Sequence, residues 1–269
     1  MIRRVRPGRA YVSVSLLDLS CVTVLAMHGR VDGRDGGDEG SSRAAPTVPV
    51  LGRPERLPDR VGGSAAVIRV RVLGKPEIVG VPADLHVRKL ALEFLTYLIV
   101  CGGRAHPDAI IGDLIPESPP SKSLQRLHTY AYNLRQIFAR LGGDGGYLRV
   151  RRHWYVLDRA GFDVDLWTML DAVADAKETS DQQARVAALR RTVDAYTGPL
   201  ADGAGYLRLA GPRDEARREY VDAVLALADI LAGPARAVLA EGRKRHPDDE
   251  RLSAALNGFA PAGTGLSCL

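Results

Sequence analysis

The stretch SKSLQRLHTYAYNLRQIFARLGGDGGYLRVRRHWYVL, residues 121–157, decides how the chain is read. Leu124, Leu127, Ala131, Leu134, Phe138 and Leu141 recur at spacings of three and four, which gathers them on one side of a helix. Lys122, Gln125, Arg126, Thr129, Tyr132, Asn133, Gln136 and Arg140 fall on the other side. Ser121 suits the N-cap, because its hydroxyl can accept from an orphaned backbone N–H, and Gly142-Gly143 suits the end. Tyr147–Val150 and Trp154–Leu157 then read as a β-hairpin with Arg151, Arg152 and His153 at its tip.

Upstream, the β-branched run Val67–Leu73 predicts a strand, Gly74-Lys75-Pro76 a turn and Glu77–Val79 a short return strand. Leu90, Leu92, Phe94, Leu95, Leu98 and Ile99 predict a well-buried helix over 87–100, stopped by Gly102-Gly103. His106-Pro107-Asp108 opens a short helix through Ile110, Ile111 and Leu114, and Pro116, Pro119 and Pro120 separate it from the next. Strands, three helices and a hairpin in that order describe a winged helix-turn-helix over 66–160. From Asp163 the pattern is helical, with helices expected near 165–178, 181–197, 212–232, 234–246 and 249–257. Breaks are expected at Gly198-Pro199, Gly211-Pro212, Gly233-Pro234 and His246-Pro247. Paired helices of this length, rich in Ala and Leu, predict a tetratricopeptide-like all-α domain over 163–257. The fold class is therefore α+β, mostly α. Residues 28–66 are rich in Gly, Arg, Asp, Ser and Pro, so 1–65 reads as a disordered leader and linker, and 258–269 as a flexible tail.

Charge is distributed unevenly along the 269 residues. Residues 121–160 carry 8 basic and 2 acidic side chains, whereas residues 161–269 carry 13 and 17. One concentrated basic block in an otherwise balanced chain points to a polyanion partner at one place. Cys21, Cys101 and Cys268 are too far apart for a metal-ligand spacing or a disulfide framework, which fits a reducing, cytoplasmic setting. The apolar stretch Tyr11–Met27 has Asp18 near its centre and falls short of the ~20 residues a spanning helix needs, so no membrane association is expected.

A helix in the major groove reads base edges with side chains that present paired donors and acceptors. Arg126 suits guanine, Gln125 and Asn133 suit adenine, and Thr129 can meet a thymine methyl, with Tyr132 on the same face. Lys122 and Arg135, with Arg140 beyond them, suit phosphates, which position without specifying. Arg149, Arg151, Arg152 and His153 form a basic wing able to lie along the backbone or enter the minor groove. Trp154 and Tyr155 are expected as core anchors beneath it. The six histidines (His28, His86, His106, His128, His153 and His246) are dispersed, and Gly142–Gly146 follows a helix with no Lys-Ser/Thr after it. Neither a catalytic site, a metal site nor a cofactor is expected.

The runs VRVLGKPEI (70–78), RKLALEFLTYLIVCGGRAHPDAIIGDLIP (88–116), SLQRLHTYAYNLRQIFARLG (123–142) and YLRVRRHWYVLD (147–158) resemble the Streptomyces antibiotic regulatory protein family. DVDLWTML (163–170), AYTGPLADGAGY (195–206) and PRDEARREYVDAVLALAD (212–229) resemble its companion, the bacterial transcriptional activator domain. The chain departs from the family pattern at Leu114-Ile115-Pro116, where Leu-Trp-Pro is usual, and in placing Tyr206 well ahead of Arg213. The resemblance implies a sequence-specific transcription regulator, an activator, that binds double-stranded DNA. It also implies that the helical half serves dimerisation on DNA or contact with RNA polymerase or another transcription component. The rival expectation is a non-catalytic interaction scaffold with a degenerate winged helix.

Overall fold

The computed structural model describes residues 66–116, 119–142, 146–204, 209–231 and 234–258. The leader and linker, Tyr11–Met27, Tyr206 and the tail beyond Gly258 lie outside the described residues.

Strand β1 (Ile68–Arg71) buries Ile68 and Val70 and exposes Arg69 and Arg71, the alternation its sequence predicts. It pairs antiparallel with β2 (Glu77–Ile78), Val70 facing Ile78. Helix α1 (Lys89–Val100) is buried almost continuously from Phe94 to Val100. After Gly102-Gly103, β3 (Arg104–Ala105) pairs antiparallel with the later strand β5 (Trp154–Leu157), a contact too short to leave a sequence pattern. Helix α2 (Pro107–Leu114) begins as expected, with Pro107 in its first turn and His106 Nδ1 accepting from Asp108 N at 3.3 Å.

Helix α3 (Pro120–Arg140) corrects two expectations. Its N-cap is Pro119, with Ser121 already inside the first turn. The following proline holds Pro119 extended, and the fixed φ of Pro120 suits the first helical position. Leu124 is 41% exposed, while Ser123 takes the inward position and donates through Oγ to the Pro119 carbonyl at 3.1 Å. Apolar burial on α3 starts only at Leu127 and continues through Tyr130, Ala131, Leu134, Ile137 and Phe138. Strand β4 (Leu148–Arg151) and β5 complete the hairpin, giving a sheet of order β3-β5-β4. Together α1, α2, α3 and this hairpin form a winged helix-turn-helix.

A single 3-10 turn, Arg159–Gly161, leads into β6 (Phe162–Val164), which runs parallel to β1 with Phe162 opposite Ile68 and Val164 opposite Val70. This strand was not expected from sequence, because three residues show no readable period. Helix α4 (Asp165–Glu178) follows without a linker. Its first residue, Asp165, accepts from Val72 N at 2.9 Å, Leu73 N at 3.0 Å and Leu166 N at 2.8 Å. Those N–H groups belong to the end of β1 and the start of α4, where neither has a ladder or helical acceptor. Burial outweighs them and holds the Asp165 carboxyl above the ordinary carboxylate range. Nearby, Ala201 N donates to Val72 O at 2.7 Å, Gly74 N donates to Pro199 O at 2.9 Å, and Trp167 Nε1 donates to Ile99 O at 3.0 Å.

Helices α5 (Gln182–Ala195), α6 (Ala210–Leu231), α7 (Ala235–Arg245) and α8 (Glu250–Gly258) pack each on its predecessor. Ala176, Ala188 and Ala223 are buried among α4, α5 and α6, where small side chains permit close approach. Gly211-Pro212, expected as a break, lies inside α6. Proline in a first turn lacks only an N–H that has no acceptor there, so the helix starts ahead of it. The result is the expected tetratricopeptide-like stack. One hydrophobic cluster runs from Ile68 to Leu252, so both halves of the chain contribute to it. No helix among the described residues is long and apolar enough to cross a membrane.

Removing the Asp165 carboxylate should be costly. Asp165→Ala leaves the Val72 and Leu73 N–H groups without acceptors, at roughly 1–3 kcal/mol each, and urea unfolding of the chain should register that loss. Asp165→Asn, which keeps one acceptor oxygen, should lose less. A second prediction concerns His246, buried beside Tyr196 with Nε2 3.1 Å from the Tyr196 hydroxyl. Burial, then Arg217 and Arg245, hold its imidazole below the ordinary range, opposed by Asp249. A folded-state pKa below the unfolded value makes protonation favour unfolding. The unfolding free energy should therefore be full above about pH 6.5 and fall as pH drops below it, and His246→Gln should flatten that dependence.

Candidate nucleic-acid interface

The outward face of α3 carries Lys122, Gln125, Arg126, Thr129 and Tyr132, all exposed, with Tyr132 at 62%. Their shared face follows from the burial of Leu127, Ala131, Leu134 and Phe138 on the opposite side. The Thr129 hydroxyl donates to the Gln125 carbonyl at 3.0 Å, which leaves its methyl group and oxygen lone pairs to offer outward. Asn133 and Arg135 are engaged within the protein. Asn133 Nδ2 donates to His86 O at 3.4 Å and its Oδ1 accepts from Arg88 N at 3.3 Å, tying α3 to the segment before α1. Arg135 Nε donates to Leu148 O at 2.9 Å, tying α3 to the base of β4. Arg140 pairs with Asp84 at 2.9 Å.

The hairpin register fixes which side chains share a face. Arg149 lies opposite Val156, Arg151 opposite Trp154, and Arg104 of β3 opposite Val156 from the other edge. Residues opposite each other, and those two apart, lie on one face, so Arg104, Arg149, Arg151 and Trp154 line the outer side of the β3-β5-β4 sheet. Leu148, Tyr155 and Leu157 line the inner side and are buried. Tyr155 is the expected core anchor, its ring 5.2 Å from Phe94 in an edge-to-face contact. Trp154 is not. It is half-buried on the outer face, with the Arg104 guanidinium 4.3 Å above its ring and His106 edge-on at 5.4 Å. Sequence reasoning missed Arg104 altogether, because the two-residue strand that brings it to the wing has no pattern of its own.

The electrostatics separate these cations from many others. Arg69 pairs with Asp163, Lys177 with Glu219 and Arg191 with Asp175, each at 3.0 Å or less. Lys122, Arg104, Arg149, Arg151 and Arg152 form no ion pair among the described residues. Arg213 is engaged within the protein, donating to the Leu200, Ala201 and Ala204 carbonyls at 2.6–2.7 Å.

The tip itself is strained. Arg152 and His153, the two residues between β4 and β5, have φ of 48° and 68°. Positive φ at both positions is what a type I′ hairpin turn requires, and Asn-Gly is the sequence that usually meets it. For Arg and His the Cβ crowds the backbone there. Among the described residues no group of three or more His, Cys, Asp and Glu side chains is placed to hold a metal ion. Cys101 is buried enough that its thiol is pushed up to about 11, so it does not present a thiolate near neutral pH.

No family model matches the chain, and no curated protein matches it. Among solved structures, Mycobacterium tuberculosis EmbR in complex with low affinity phosphopeptide has a similar fold, with a TM-score of 0.55 at 22% identity. The match covers 70% of this chain and 53% of that one, so the chain spans about half of EmbR's length. At this identity the likeness is one of fold.

Relieving the turn tests the strain. Arg152→Asn with His153→Gly should stabilise the chain by roughly 1–3 kcal/mol, the cost typical of one residue held in a sparsely populated backbone region. Denaturant unfolding measures it, and an unchanged midpoint would mean the turn is not strained.

Proposed function

We propose that the chain is a sequence-specific DNA-binding transcription regulator of the Streptomyces antibiotic regulatory protein type. One observation carries the reading: a polar, exposed α3 face and a sheet face of unpaired arginines are held together by the Arg135–Leu148 hydrogen bond. In this reading α3 enters the major groove. Lys122 reaches a phosphate, Arg126 and Gln125 meet base edges, and Thr129 and Tyr132 make apolar contact. Arg149, Arg151, Arg152 and His153 follow the backbone or the adjacent minor groove, and Arg104 joins them on the sheet face. Asn133 and Arg135, also expected at the interface from sequence, act by orienting α3, through the Asn133 amide bonds to His86 and Arg88 and the Arg135 Nε bond to Leu148.

The motif resemblance and the EmbR-like fold support the assignment. The helical stack supplies the contact to a second copy or to a transcription component such as RNA polymerase, in the manner of helix-pair stacks generally. The reading includes no catalytic step and places the protein in the cytoplasm, where its DNA is. Two copies would occupy half-sites one helical turn apart, ~10–10.5 bp centre to centre.

The test is fluorescence anisotropy of the full chain on duplexes from upstream of its own gene, against scrambled duplex, at two salt concentrations. Preferential, salt-sensitive binding is expected, and no binding even at low salt would favour the interaction scaffold. Arg126→Ala should lower target-over-scrambled discrimination by roughly 1–3 kcal/mol, the range for one bidentate base contact. Equal loss on both duplexes would make it a phosphate contact. Arg151→Ala with Arg152→Ala should weaken all duplexes alike and flatten the salt slope by about 0.9 per phosphate contact removed.

A further inference from the structure

A cleft of about 320 Å³ opens between the β1–β2 turn, α1 and the 202–204 loop. It therefore touches both the winged helix and the helical half. Half-buried Pro76, Leu92 and Ala204 give it apolar surface, and its volume lies in the range of small-molecule sites. The loop on its far side is held firmly: Asp202 N donates to Gly74 O at 2.8 Å and Arg213 donates to Ala204 O at 2.7 Å.

Glu93 is the anomaly in this cleft. Its side chain is only 13% exposed, yet among the described residues it makes no hydrogen bond. Its ion-pair partner is Lys89, one turn earlier on α1, at 3.9 Å, and that lysine is itself 84% exposed. A carboxylate so far withdrawn from water is normally compensated by close donors. Asp165 shows how the same protein does this, with three backbone N–H groups at 2.8–3.0 Å. Burial raises the Glu93 carboxyl above its ordinary range, and Lys89 offsets this only in part. Glu93 lines the cleft beside the apolar surface of Pro76, Leu92 and Ala204, so its carboxylate can be met by a donor entering from that side.

We infer that this cleft binds a small organic cation, an amine carried on an apolar or aromatic body, with Glu93 accepting from the ammonium and Pro76, Leu92 and Ala204 packing against the body. Lys75 and Lys89 stand exposed at the opening. They would favour an anion instead, so ligand charge is the decisive variable. The site lies apart from the α3 and wing residues assigned to DNA, and its test does not depend on that assignment.

The probe is 1-naphthylmethylamine, compared with the neutral 1-naphthylmethanol and the anionic 1-naphthoate. Binding to the full chain is followed by amide chemical-shift changes. The amine is expected to saturate, shifting Leu92, Glu93, Gly203 and Ala204, and to bind at least tenfold more tightly than the alcohol. Glu93→Gln, checked for an unchanged fold by circular dichroism, should erase that preference while leaving the alcohol's affinity within twofold. Ala204→Leu, which fills the cleft, should weaken amine and alcohol together. Tighter binding of the naphthoate, equal binding of amine and alcohol, a preference that survives Glu93→Gln, or no saturable shifts would each overturn the inference.

Discussion

The end of β1 and the start of α4 meet at one carboxylate. Asp165 accepts from Val72, Leu73 and Leu166, three N–H groups that the parallel β1–β6 pairing and the first turn of α4 leave without acceptors. A parallel pair cannot be closed by a hairpin, so β6 reaches β1 only after the whole winged helix has been made. The same carboxylate then anchors the helix that begins the all-α stack. Around it, Ala201 N on Val72 O, Thr197 Oγ1 on Leu73 O and Trp167 Nε1 on Ile99 O bind the second half to the first. Gly161 fits here because no larger residue could. A Cβ at that position would lie 2.1 Å from the Tyr147 ring. The shared cluster from Ile68 to Leu252 is the packing consequence of that joint.

The proposed interface rests on two smaller ties. Arg135 fastens α3 to β4, and Asn133 fastens α3 to the segment ahead of α1, so the outward face of α3 is presented in a fixed attitude to the wing. At the tip, residues that resist positive φ are held in it by the β4–β5 ladder. Strain of that kind persists where the surroundings over-determine it, and it gathers at places that bind. Asn-Gly would serve the turn better than Arg and His, and in the proposed function these two residues contact the polyanion.

Much of this was legible in the sequence. The three-and-four spacing from Leu127 to Phe138 located α3, and the alternation around Tyr147–Leu157 located the hairpin. The all-α stack followed from Gly-Pro punctuation. The parts that were not legible are short or depend on partners distant in sequence. Strands β3 and β6 have two and three residues, and only tertiary pairing defines them. Trp154 looked like core because tryptophan usually is, but its register places it outside beside Arg104. On α3 the pattern marked Asn133 as a base reader, whereas its amide serves the 86–88 backbone. Periodicity assigns a residue to a face and says nothing about which neighbour already occupies its polar atoms. Leu124 failed for the converse reason: it keeps the helical period, but the core does not extend to the start of α3.

In the proposed function α3 and the wing together read a DNA sequence. Repeated selection of random-sequence duplexes by the full chain, with the survivors sequenced, tests it most directly. Convergence on a recurring motif is expected, with its enrichment lost in Arg126→Ala. Retained duplexes with no shared sequence, or none retained at low salt, would contradict it.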